Sequence, residues 1–125
     1  MSQTGANPPP NRGDIFVHPH ALIEENVQIG AGTRVWACAH LHSGCKTGTD
    51  CNICDHTSLE YGVVIGDRVT IKYGVYLGTG TTVEDDVFIG PSASFINDKF
   101  PRSRHWLTEY QKTRICKGAS IGANA

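Results

Sequence analysis

The sequence predicts an all-β chain wound as a triangular parallel solenoid of 18-residue coils, and three observations carry that expectation. Large apolar residues recur at every sixth position: Val17, Ile23, Ile29, Val35, Leu41, Thr47, Ile53, Leu59, Ile65, Ile71, Leu77, Val83, Ile89 and Phe95, with Thr47 the sole polar member. Four residues after each from Val17 to Ile89 stands a small or β-branched residue: Ala21, Val27, Thr33, Ala39, Cys45, Cys51, Thr57, Val63, Val69, Val75, Thr81, Val87 and Ala93. No insertion breaks this register from Val17 to Asp98.

A helix repeats at 3.6 residues and a half-buried strand at two, so a step of six needs another object. Six is even, which keeps strand parity from unit to unit. Calling the large aliphatic position i, position i+2 lacks the large apolar residues of an inward face (Glu25, Ala31, Ala37, Ser43, Asp67, Tyr73). A turn is therefore expected just after i, followed by a strand of roughly four residues from i+3 to the next i. Strands that short bury a face only by stacking on copies of themselves. Three units per revolution give a three-sided coil, with coils stacked at about 4.8 Å through parallel hydrogen bonds.

The elements follow in chain order. Residues 1–14, "MSQTGANPPPNRGD", are polar and Pro-rich, lack an apolar signal-peptide core, and read as a disordered or extended tail. Residues 15–125 form one β-helix domain, turn-rich with fourteen glycines against one methionine. Within it a loop, residues 97–114, departs from the repeat, which is expected to stop after Asp98 and resume at Ile115. The loop segment "KFPRSRHWLTEYQKT" interleaves Arg102, Arg104, His105, Lys112 and Arg114 with Trp106 and Tyr110. Arginine binds diphosphate oxygens in a bidentate fork and aromatic faces stack on bases, which suits a nucleotide-bearing ligand. Trp106 and Leu107 are expected instead to pack against a neighbouring copy.

Composition excludes several classes of partner. A formal charge of −1 and an ordinary apolar content call for neither nucleic acid nor an anionic membrane. No apolar run approaches the roughly 20 residues of a membrane span. Five cysteines in a chain without a signal peptide fit a reducing cytoplasm. "CNIC" has CxxC spacing, but the register points Cys51 inward and puts Cys54 in a turn, so neither a chelate nor a disulfide is expected. Cys38 and Cys116 are expected outward or in turns.

Stacking coil upon coil places His56 above Cys38 and below Gly74 and Ser92. His56 and Ser58 are expected to face outward from one short strand, with His40 one rung below Ser58. At the next corner His42, Glu60, Gly78 and Ile96 form a column, with Asn97 beginning the loop. His40, His42, His56, Ser58, Glu60 and Asn97 are thus expected to converge on one wall and its corner, which is the strongest internal sign of a site.

The stretches "IGDRVTIKYGV" and "VEDDVFIGPSASF" resemble the hexapeptide-repeat acyltransferases. That resemblance implies a left-handed parallel β-helix, a handedness the spacing itself does not give. "NICDHTSLE" and "VFIGPSASFINDKFPRS" narrow it to the acyltransferases that modify the 3-amino group of a nucleotide-linked deoxyamino sugar. The resemblance implies an acetyl-CoA co-substrate, no metal, a homotrimer with substrates held between subunits, and a substrate loop at Asn97, Asp98, Pro101 and Arg102. An amine attacks a thioester only when neutral, so a base is wanted, and His56 is the first choice, with Asp55 or Glu60 to orient it. Ser58 and Tyr76 are expected to contact substrate, Gly74 and Gly78 to meet the acyl-CoA, and turn amides near Gly74 or Gly78 to stabilise the oxyanion. Two other readings stand beside this one. The first is a zinc enzyme of the γ-carbonic-anhydrase type using His40, His42 and His56 across a subunit interface. The second is a non-catalytic β-helical oligomer, or a C-terminally truncated transferase that no longer binds CoA, because relatives continue for several coils past the loop.

Overall fold

The computed structural model describes residues 13–125. The expected tail therefore lies outside the described residues apart from Gly13 and Asp14.

Sixteen short strands form three parallel sheets, and no helix occurs among the described residues. The first wall is β1 (Phe16–Val17), β4 (Arg34–Val35), β7 (Asn52–Ile53), β10 (Thr70–Ile71), β13 (Phe88–Ile89) and β16 (Ser120–Ile121). The second is β2 (Leu22–Ile23), β5 (His40–Leu41), β8 (Ser58–Leu59), β11 (Tyr76–Leu77) and β14 (Ser94–Phe95). The third is β3 (Gln28–Ile29), β6 (Lys46–Thr47), β9 (Val64–Ile65), β12 (Thr81–Val83) and β15 (Thr113–Ile115). Each strand pairs with the one three units later, so His40 lies on Ser58 and Ser58 on Tyr76, one full coil apart at each step. The result is a β-solenoid of five complete three-sided rungs and one further strand, consistent with the expected left-handed β-helix.

Both inward series fill the prism. Val35, Leu41, Ile53, Leu59, Ile71, Leu77 and Ile89 are fully buried in one cluster with the small residues Ala39, Cys45, Cys51, Val63, Val69, Val75 and Ala93. Full burial of a large aliphatic contributes roughly 1.5–3 kcal/mol, so the column is held by many equal increments rather than one nucleus. Buried threonines send their hydroxyls to turn carbonyls: Thr33 to Gly48 at 2.8 Å, Thr57 to Lys72 at 3.2 Å and Thr81 to Gly78 at 2.7 Å. The Thr47 hydroxyl is buried without a partner.

The strands are shorter than expected. Only i−1 and i pair in most of them, and a β-turn occupies i+1 to i+4, closed by bonds such as Ala39 N to Trp36 O (3.3 Å) and Val63 N to Glu60 O (3.2 Å). The cause is position i+3, which takes positive φ without exception from Asn26 to Ser92. A left-handed residue in the third place of a turn is the type II geometry, which ends the extended ladder. Eight of these twelve positions are Gly, Asn or Asp, and the other four are Cys38, His56, Arg68 and Ser92. His56 therefore sits in a turn at φ 61°, not on the strand where it was expected. Cys54, at i+1, opens its turn as expected but is buried there, while Cys38 and Cys116 are exposed.

One corner is unusually tight. A Cβ on Gly66 would stand 2.9 Å from Asp85 N, and the Asp85 carboxylate takes the Asp67 amide one rung away at 2.8 Å. The Asp67 carboxylate does the same for Thr49 N, at 2.8 Å.

The loop leaves this frame after β14 and returns at β15, whose first residue, Thr113, precedes the expected Ile115. Thr81 pairs with Thr113, where an unbroken repeat would bring Lys99, so the loop lengthens this one coil and the next continues in register. Glu84 anchors the return, accepting from Arg114 Nη1 at 2.6 Å and from Lys117 N at 2.8 Å.

Candidate functional site

The second wall carries an outward column of Leu22, His40, Ser58, Tyr76 and Ser94. At its far corner stand Glu24, His42, Glu60 and Gly78, each i+1 amide bonded to the carbonyl one rung on: Glu24 to Leu41, His42 to Leu59, Glu60 to Leu77 and Gly78 to Phe95. These columns bring together four of the six residues expected to converge. The His40 and His42 rings stack with centroids 3.8 Å apart and planes 16° off parallel. His40 Nε2 lies 2.7 Å from Glu24 Oε2, and Glu24 Oε1 accepts the Ser43 amide at 2.9 Å. The His40 bond, then the Ser43 amide, holds the Glu24 carboxyl below the ordinary carboxylate range. His42 Nδ1 is 2.8 Å from the Leu59 carbonyl, which can only accept, so Nδ1 carries the proton and Nε2 presents its lone pair when the ring is neutral. That Nε2 lies 3.9 Å from Glu60 Oε2, and the Tyr61 ring meets His42 edge-on at 4.9 Å. Tyr76 has its phenol raised by burial and then by the Glu60 charge.

His56 stands apart from this group. It projects from the turn between the first and second walls, at the opposite end of β8 from Glu60. Four residues of extended chain span about 13 Å, so His56 and the His42–Glu60 corner do not meet within one chain. Its column is as expected: the His56 amide bonds Ala37 O at 3.1 Å and the Gly74 amide bonds Asp55 O at 3.0 Å, with Cys38, His56, Gly74 and Ser92 in successive turns. Among the described residues no side-chain hydrogen bond or ion pair involves the His56 ring, so neither Asp55 nor Glu60 orients it inside the chain. The three-histidine set of the zinc reading is likewise not assembled within the chain.

The amides of the two glycines are engaged within the coil. Gly74 N is bonded to Asp55 O and Gly78 N to Phe95 O at 2.9 Å, so both amides are spent holding the coil. Gly78 is glycine for space: a Cβ there would stand 3.0 Å from Phe95 O and 3.3 Å from Asn97 Nδ2. The outward amides of these turns are the i+2 groups, and those of Asp55, Tyr73 and Thr79 have no acceptor among the described residues.

Asn97 starts the loop where expected, its carboxamide donating to Thr79 O at 3.0 Å, while Gln111 N closes onto Asn97 O at 3.3 Å. Asp98 caps the Phe100 amide at 2.9 Å. Beyond them Asn97, Asp98, Lys99, Arg102, His105 and Gln111 line a cleft of about 230 Å³. Trp106 is exposed, as are Phe100 and Ile96. Glu24 and Tyr61 are the residues missed from the sequence. Glu24 was visible there, since it lies one coil below His42 in the same column.

No protein-family model matches the chain. It superposes on the acetyltransferase domain of PglB from Neisseria gonorrhoeae with a TM-score of 0.77 and 20% identity, covering 90% of this chain and 48% of that one, and equally on that domain in complex with acetyl coenzyme A. The fold of that domain is the fold of this chain. A GDP-perosamine N-acetyltransferase from Caulobacter crescentus, in complex with CoA and GDP-perosamine, superposes with a TM-score of 0.56 and 17% identity, over 86% of this chain and 53% of that one. In sequence, residues of this chain are 35% identical over 53 positions to an acyl-[acyl-carrier-protein]–UDP-N-acetylglucosamine O-acyltransferase from Brucella ovis, 42% of this chain and 19% of that protein. The chain thus spans about half the length of the solved acetyltransferases, and the matched stretch about a fifth of the curated relative.

Proposed function

We propose that the chain belongs to an N-acyltransferase that moves the acetyl group of acetyl-CoA to the amino group of a nucleotide-linked deoxyamino sugar. The observation that carries this is the superposition on acetyltransferases over nine-tenths of the chain, one of them holding acetyl coenzyme A and another CoA with an amino-sugar nucleotide. The loop supports it: a cleft lined by Lys99, Arg102 and His105 offers cations to a diphosphate.

In this reading His56 takes the amine proton as the nitrogen attacks the thioester carbonyl, and the CoA thiolate leaves. An outward turn amide beside those glycines, Tyr73 or Thr79, serves as oxyanion donor. Ser58 and Tyr76 line the wall the sugar would cross, and Asn97 and Asp98 both brace the loop and line its substrate cleft. His56 and the Arg102 loop occupy different ends of the second wall, so one active site draws them from two copies. A homotrimer of about 40 kDa is expected, three chains of 13.5 kDa, working in the cytoplasm. No helix of the described residues is long and apolar enough to cross a membrane.

An acetyl-transfer assay with amino-sugar nucleotides separates this from a non-catalytic oligomer. Turnover is expected with the parent. Arg102→Ala is expected to weaken sugar-nucleotide binding about tenfold or more by calorimetry, in keeping with the loss of one charge-assisted contact. Unchanged affinity in that variant would make the loop architectural.

A further inference from the structure

Glu24, His40 and His42 present three ligand atoms that all lie within 4.8 Å of one another. We propose that they form a zinc-type divalent metal site that ties the first coil to the second, a role independent of the acyl-transfer reading and contrary to the expectation of no metal. Two imidazoles and a carboxylate are a donor set that zinc accepts, with water or a further carboxylate completing four-coordination. Glu60 lies at the edge of this group, its Oε2 3.9 Å from His42 Nε2, within reach of the fourth position.

The groups behind the ligands are already in place. Leu59 O holds His42 Nδ1–H, which aims the Nε2 lone pair outward, and Ser43 N holds the second oxygen of Glu24. Carbonyl support of a ligating imidazole and amide support of a ligating carboxylate are the usual outer partners of metal sites. The pocket is open enough for an ion to enter yet not fully solvated: side-chain exposure is 34% for His40, 28% for Glu24 and 13% for His42. Ligands on zinc at about 2.1 Å stand roughly 3.4 Å apart, so the hydrogen-bonded His40–Glu24 pair, now 2.7 Å, must open, the wider pairs within the 4.8 Å group must close, and the stacked rings must turn toward each other. The ion takes the place of the hydrogen between His40 Nε2 and Glu24, so a ligating His40 carries its ring hydrogen on Nδ1.

The test uses the chelator-stripped full chain. Titration with zinc chloride is expected to show one ion per chain and a rise in Tm with zinc concentration. X-ray absorption at the zinc edge of the parent is expected to count two imidazole nitrogens. His42→Ala and Glu24→Gln are each expected to lose more than the roughly 10–100-fold in affinity that removing an outer partner costs. His18→Ala with His20→Ala, which removes the other close histidine pair, should leave binding unchanged. No stoichiometric binding, a ligand sphere without two imidazoles, or loss of binding in the His18/His20 variant overturns the proposal. The absorption count on the parent stands even if a variant fails to fold.

Discussion

Two side chains in the column are at odds with their surroundings, and each yields a prediction. Thr47 occupies an inward position whose equivalents are aliphatic, and its hydroxyl is buried without a partner. An unmet buried hydroxyl costs about 1–3 kcal/mol, and valine has nearly the same shape. Thr47→Val should raise the denaturation midpoint by an amount equivalent to about 1 kcal/mol with the slope unchanged. A fall would mean the hydroxyl has a partner in solution. His56 holds φ 61° at a turn position mostly filled by Gly, Asn and Asp. Asparagine tolerates that region well. His56→Asn is expected to keep or raise stability, by up to about 1 kcal/mol, while lowering kcat far more than it changes KM. That pairing of outcomes separates catalysis from folding, because a merely structural histidine would leave kcat alone.

At the scale of elements, the loop return depends on Glu84. The Lys117 amide, then Arg114, holds the Glu84 carboxyl below its ordinary range. A depressed carboxyl pKa contributes stability above the unfolded-state value and loses it as pH falls through the folded one. Glu84→Gln should therefore be less stable than the parent at neutral pH and converge with it in acid. Parallel curves across the carboxylate range would show that the ion pair with Arg114 carries no linkage.

The same elements show what the sequence could reveal. The spacing of Val17, Ile23 and their successors determined the walls, the pairing offset and the core, because a buried stack tolerates no slip of register. It overstates strand length because the apolar pattern marks which residues face inward, not where extended backbone ends. The left-handed i+3 residues carry that information, and Asn26, Gly32, Gly44 and Asp50 display it openly. The overlong strand puts His56 on a wall it does not occupy and so overstates the convergence of the site. Which of the turn amides near Gly74 and Gly78 are free was not legible either, because neighbouring coils take the N–H groups of the glycines themselves.

The whole molecule is a stacked column with a loop inserted without loss of register and two polar corners at opposite ends of one wall. A single chain holds those corners apart, so the proposed chemistry needs copies side by side. The central claim is that this column binds acetyl-CoA for transfer to an amino sugar. Calorimetric titration of acetyl-CoA into the assembled chain, with its mass followed by light scattering, tests it most directly. Saturable binding with one acetyl-CoA per chain at a mass of about 40 kDa is the predicted result. An intact trimer that takes up no acetyl-CoA would contradict the account.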